Sequence, residues 1–233
     1  ILLDALGRRG DASILDAVLA ATKDAAEAVR IAAFQALGTL KAPGALATLV
    51  SALKTTQGAV RDKAEWALAR QPGDGVTQAI VAALPGAKGE GLAALLRALG
   101  VRRDEAVLPQ LIAGTKDADE AVRVAAFSSI GLIGSTKGVP AILDGLAKGE
   151  GDTHKAAVFA LRQTRAPEAI DALAAAAKGA EPKALAPIIE VLSYRTSPAV
   201  TAMLKDGAKH ADPAVRRAAI QGLARSKDPE ALS

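Results

Sequence analysis

One string of eleven residues returns through this chain with little change. AVRIAAFQALG at 28–38 reappears as AVRVAAFSSIG at 121–131 and as AVRRAAIQGLA at 214–224. Counting from Val29 in steps of 31 lands on Val60, Gly91, Val122, Thr153, Ala184 and Val215, with no insertion or deletion between them. A period of this length points to an array of equivalent supersecondary units, each burying its apolar face against its neighbours.

The spacing inside the period is helical. Eight residues beyond the anchors stand Leu37, Leu68, Leu99, Ile130, Leu161, Leu192 and Leu223, with Leu6 one period earlier. Four before those stand Ala33, Ala64, Leu95, Ala126, Ala157, Ile188 and Ala219. Steps of four and eight share one face of a helix, here called helix B. A second amphipathic segment, helix A, precedes each. It turns Leu15, Leu46, Thr77, Leu108, Val139, Ile170 and Thr201 inward, then Val18, Leu49, Ile80, Leu111, Ile142, Leu173 and Leu204 three residues on. Beside the two threonines, Val76 and Val200 fill the gap. Half of the chain is hydrophobic but only 2% is aromatic, so the core is aliphatic and rich in helix formers. Strand-like alternation is missing. Asp212 before Pro213, and Asp119 in the same slot, read as helix N-caps. APG at 42–44, APE at 166–168, SPA at 197–199 and DPE at 228–230 open helix A. Pro187 falls in helix B of its unit, near the first turn, where a missing N–H costs little.

The pattern D-P-x-V-R-x-A-A-x-x-x-L resembles the HEAT repeat, in its short form of about thirty residues first noted in phycobilisome lyases. The resemblance covers the whole chain. It implies an all-α fold, a right-handed α-solenoid of stacked helix-turn-helix units. About seven full units would run through residues 1–233 as one array, with partial units at 1–7 and 227–233. Those ends carry no polar cap, so the array is expected to be a segment of a longer chain. In this family the arginine after the valine (Arg30, Arg61, Arg123, Arg216) pairs with loop carboxylates of a neighbouring unit. Leu92, His154 and Leu185 would interrupt that ladder. The B helices of such solenoids line the concave surface.

Reaction chemistry finds little to use. There is no cysteine, and charges break every apolar run before the ~20 residues of a membrane span. The two histidines, His154 and His210, sit in different units and at different places in the period. Lys155 and Ala211 follow them, so the His-Glu pairs of HEAT-type iron hydroxylases are missing. No H-E-x-x-H, G-x-S-x-G or P-loop pattern occurs. GDG at 73–75 and GEG at 89–91 read as turns. HEAT-like alkylpurine DNA glycosylases need an aromatic cleft, and this chain has five aromatics, of which Phe34 and Phe127 take a core slot. The expectation is no catalytic residue, no metal and no cofactor.

Comparison of the units with one another points to binding instead. Core slots barely change. The slot six after the anchor runs Gln35, Trp66, Arg97, Ser128, Phe159, Glu190, Gln221. Four residues on, the run is Thr39, Arg70, Val101, Leu132, Gln163, Tyr194, Arg225. These slots form one variable stripe on helix B. Trp66, Arg70, Arg97, Phe159, Gln163, Glu190, Tyr194 and Arg225 are the candidate partner-binding residues, since aromatics and arginine anchor interfaces. The B-helix windows hold 15 Lys/Arg against 4 Asp/Glu. That excess favours an acidic protein or peptide as partner, although part of it suits helix C-termini. A non-catalytic scaffold is the leading reading. An accessory domain of a larger enzyme or lyase complex, and nucleic-acid binding along the basic helices, are the alternatives. The mild net charge of +4 and the scarcity of aromatics argue against nucleic acid.

Overall fold

A computed structural model describes residues 12–41, 43–73, 75–164, 167–195 and 198–225. Leu6, the partial units at 1–7 and 227–233, and the DPE turn lie outside them. Among the described residues there is no strand, and fourteen α-helices pair into seven A–B hairpins. The A helices are α1 (Leu15–Ala21), α3 (Leu46–Thr55), α5 (Gly75–Ala83), α7 (Leu108–Gly114), α9 (Val139–Lys148), α11 (Pro167–Ala177) and α13 (Pro198–Gly207). The B helices are α2 (Glu27–Leu40), α4 (Gly58–Ala69), α6 (Gly89–Arg102), α8 (Glu120–Ile133), α10 (Gly151–Gln163), α12 (Pro182–Leu192) and α14 (Pro213–Arg225). The chain divides into two compact units, residues 1–129 and 130–233, the boundary falling within α8.

In each unit the repeated aliphatic slots form the core. Ala33, Leu37, Leu49, Leu68, Ile80, Leu95, Leu99 and Leu111 have no exposed surface in the first unit, nor do Ala157, Leu161, Ile188, Leu192 and Ala219 in the second. Val76 and Val200 are buried beside the helix-A threonines, as the pattern requires. Consecutive B helices touch through small residues 29 positions apart. A Cβ placed on Gly38 would lie 3.0 Å from Ala67 Cα, and one on Gly100 would lie 2.6 Å from Ser129 Cα. In the second unit one on Gly131 would lie 2.7 Å from Ala160 Cα, and one on Gly222 would lie 2.8 Å from Ser193 Cβ. Backbone therefore meets backbone, which only glycine, alanine or serine permits. Polar side chains tie the same joints. Ser129 Oγ donates to Leu96 O at 2.9 Å, and Gln71 Nε2 donates to Leu37 O at 3.0 Å.

The helix starts follow the expected chemistry, with one change. Asp212 Oδ1 accepts from Ala214 N at 2.8 Å and from Val215 N at 3.1 Å, and Asp119 Oδ1 accepts from Ala121 N at 2.8 Å. Three of the ladder arginines bond backbone carbonyls of their own turns. Arg30 donates to Asp24 O and Ala25 O, Arg123 to Asp117 O and Ala118 O, and Arg216 to His210 O and Ala211 O, all at 2.6–2.9 Å. Each guanidinium thus closes the turn of its own hairpin through backbone carbonyls five and six residues back. A two-residue reach inside the hairpin suits the planar fork better than a mobile side chain in the next unit. His154 and Leu185 leave their turns without this clamp. Pro187 stands at the sixth position of α12 rather than in its first turn, so the carbonyl four residues before it has no helical donor.

The close B–B joint yields a paired prediction. Gly100→Ala forces its Cβ into Ser129 and should cost about 1–3 kcal/mol. Gly75→Ala, at a helix start where a Cβ meets nothing within 4 Å, should be neutral or stabilise by about 0.4–1 kcal/mol. Urea unfolding followed by circular dichroism measures both.

Candidate partner-binding site

In the first unit Trp66 is half-buried on α4. Its six-membered ring edge lies against the bare backbone of Gly38, 2.9 Å from where a Cβ would stand. Two cations of the same helix flank the indole: the Arg70 guanidinium is 4.0 Å from the ring centroid and Lys63 Nζ is 5.2 Å from it. They sit three before and four after Trp66, the spacing that places side chains over one another. Trp66 and Arg70 therefore form one patch.

Arg97 does not join it. Its Nε bonds both oxygens of Glu65 at 3.1 Å, Nη2 reaches Glu65 Oε2 at 3.0 Å, and Nη1 reaches Glu90 at 3.4 Å. Glu65 was not foreseen as a member of the site. Burial holds its carboxyl above the ordinary value, and the Arg97 guanidinium only partly offsets that. Desolvation thus outweighs the ion pair. Arg97 links α4 to α6 and offers a partner little free charge.

The second unit brings more of the stripe together. Phe159 is 40% exposed and Tyr194 is 67% exposed, whereas Phe34 and Phe127 are buried in the core slot. Arg225 Nη1 donates to Tyr194 Oη at 2.7 Å, and its guanidinium lies 4.9 Å from the ring centroid. Tyr194 and Arg225 occupy the same slot in successive repeats, so the 31-residue period itself makes this contact. Glu190 accepts from Arg162 Nη2 at 3.0 and 3.1 Å. Gln163 is half-buried at the end of α10 and makes no side-chain hydrogen bond among the described residues.

A cleft of about 500 Å³ opens beside these groups, lined by Arg162, Thr164, Glu190, Val191, Tyr194 and Arg195. Its origin is a broken packing rule. In the joint where other B helices place Gly38 on Ala67 or Gly131 on Ala160, α10 and α12 carry Arg162 and Val191. Two large residues hold these helices apart, and α10 touches α12 less than α2 touches α4. Arg162, Val191 and Arg195 were missed because they lie outside the variable stripe. The break in the small-residue slot was the signal that could have found them.

Among the described residues no group of three His, Cys, Asp or Glu side chains is placed to hold a metal ion. His154 is partly buried at the start of α10, and burial, with Lys183 nearby, lowers its pKa from the ordinary value. No helix is long and apolar enough to cross a membrane among the described residues. Many B-helix cations have structural partners: Arg30, Arg123 and Arg216 hold turns, and Arg102 bonds Thr77, Gln71 O and Gly73 O.

The sequence matches the family HEAT repeats over residues 1–69, 77–162 and 170–233, and the PBS lyase HEAT-like repeat over 155–179. No curated protein matches it. Among solved structures, YibA of Escherichia coli is 17% identical, with 96% of this chain and 96% of that chain covered and a TM-score of 0.52. Human deoxyhypusine hydroxylase, in complex with glycerol, is 18% identical over 91% of this chain and 95% of that one, with a TM-score of 0.48. The CpcE–CpcF complex of phycocyanin lyase from a Nostoc species is 18% identical over 90% and 75%, with a TM-score of 0.38. At these identities the YibA likeness speaks to the fold alone.

The Glu65–Arg97 pair gives a pH prediction. Folded Glu65 binds its proton more tightly than the unfolded chain does, so its contribution favours folding at low pH and is lost as pH rises through the carboxylate range. Glu65→Gln should remove that component. Arg97→Met should raise the carboxyl pKa further. Urea unfolding from about pH 3 to 8 measures the first, and side-chain carboxyl NMR shifts over the same range measure the second.

Proposed function

The chain belongs to the HEAT-repeat family, and from that premise we propose that it is a binding scaffold for a protein or peptide, contacted through the variable stripe of its B helices. The observation that carries this reading is the placement of the aromatics. In a chain with five of them, Phe159 and Tyr194 stand exposed on that stripe in one unit, and Tyr194 borders the Arg162–Val191 cleft. Core packing has no use for an exposed ring, whereas rigid aromatics beside arginine are what interfaces employ as anchors. Trp66 with Arg70 supplies a second contact patch in the first unit.

An acidic partner fits the second unit best. Arg195 and Arg225 border or approach the cleft, and among the described residues neither meets a carboxylate. Arg162 already has Glu190. The turn-closing arginines reduce the free positive charge along the helices, which weighs against nucleic acid. A second reading, an accessory domain of a larger enzyme or lyase complex, draws on the match of residues 155–179 to the PBS lyase HEAT-like repeat, the segment that carries Phe159.

The test is affinity capture with the full chain as bait, followed by calorimetry on the partner recovered. Phe159→Ala/Tyr194→Ala should weaken binding by more than ~2 kcal/mol, with the helical circular dichroism unchanged because both rings are exposed. Trp66→Ala measures the first unit's share. Full affinity in the Phe159→Ala/Tyr194→Ala protein rejects the stripe as the contact surface.

A further inference from the structure

A second cavity lies in residues 130–233, away from the stripe just described. It encloses about 570 Å³ between α11 and α13, over a floor from α12. Three slots of the sixth hairpin line it: two hold smaller residues than in the five earlier repeats, and the third holds leucine, as it also does at Leu92 in the third repeat. The first holds Leu19, Val50, Val81, Ile112 and Leu143 in the five earlier repeats and Ala174 here. The second holds Thr22, Leu53, Leu84, Thr115 and Leu146 and becomes Ala177. The third is the turn-closing arginine slot, which becomes Leu185. Two truncations and one loss of charge thus converge on one apolar space in one repeat. Leu185, Ile189 and Met203 line it together with the alanines.

The rim is polar on one side. Lys178 and His210 stand there with Asp206. His210 Nδ1 accepts from Asp212 N at 3.0 Å, so the neutral ring carries its proton on Nε2 and can offer it to a ligand. The main chain of that turn is held in place by Arg216, which bonds His210 O at 2.9 Å. An ammonium and an imidazole N–H outnumber the single carboxylate as directional groups.

We propose that this cavity is a binding site for a small amphiphile with an aliphatic body and a carboxylate head. The body fills the space that leucine, valine or isoleucine fills in the five earlier repeats. The head meets Lys178 Nζ and His210 Nε2. The volume lies within the roughly 300–1,000 Å³ range of small-molecule sites. The site is independent of the B-helix stripe, and its loss leaves that reading untouched.

Titration calorimetry of the full chain with decanoate, decanol and decylamine tests it. Decanoate should bind with a Kd on the order of 10–100 µM, ahead of decanol and then of decylamine. Ala174→Leu/Ala177→Leu restores the pair that the fifth repeat carries, Leu143 and Leu146. It should weaken decanoate binding at least ~10-fold while raising the melting temperature, which shows that the protein still folds. Lys178→Met should erase the advantage of decanoate over decanol and leave decanol binding unchanged. No binding of decanoate, equal binding by the filled variant, or a preference for decylamine each overturns the proposal.

Discussion

At four joints neighbouring B helices meet backbone to backbone: a glycine (Gly38, Gly100, Gly131 or Gly222) is set against an alanine or serine 29 residues away, and no side chain larger than serine fits between them. Close approach brings the aliphatic slots on both sides into contact, so Leu37, Leu68, Leu99, Leu161 and Leu192 lose all exposed surface. A single hairpin has no other place to bury them. Ser129 and Gln71, bonded to carbonyls of the preceding helix, satisfy polar groups that this tight contact would otherwise strand.

Departures from the joint rule mark the places where the surface becomes specific. Arg162 against Val191 widens one step and leaves a cleft edged by Tyr194 and Arg195. Ala174 and Ala177 shorten the A-helix side of another step and leave an apolar cavity. Both openings belong to the second unit, and both arise where residue size departs from that of the earlier repeats. Residue volume at these positions thus sets both how tightly neighbouring helices pack and where cavities open.

Charge behaves in the same way. The B helices are rich in arginine, yet much of that charge has an intramolecular task. Arg30, Arg123 and Arg216 close turns, Arg97 is held by two glutamates, and Arg162 by one. Burial raises the Glu65 carboxyl despite Arg97, while, against burial, Glu65 and Glu90 hold the Arg97 guanidinium more firmly charged. Arg70 beside Trp66, and Arg195 and Arg225 beside Tyr194, meet no carboxylate among the described residues.

The periodicity alone determined the helical hairpins, their register, the buried slots and the caps at Asp119 and Asp212, because each of these depends on residues a few positions apart or on one fixed step of 31. It also placed Tyr194 and Arg225 in one slot, and their contact follows from stacking. Tertiary structure decided the rest. The partners of Arg97, the route of the turn arginines, the depth of Pro187 and the cleft at Arg162 depend on how two helix surfaces approach in space. A slot pattern records which residues face a neighbour. It does not record how far apart two neighbours stand once a large side chain has come between them.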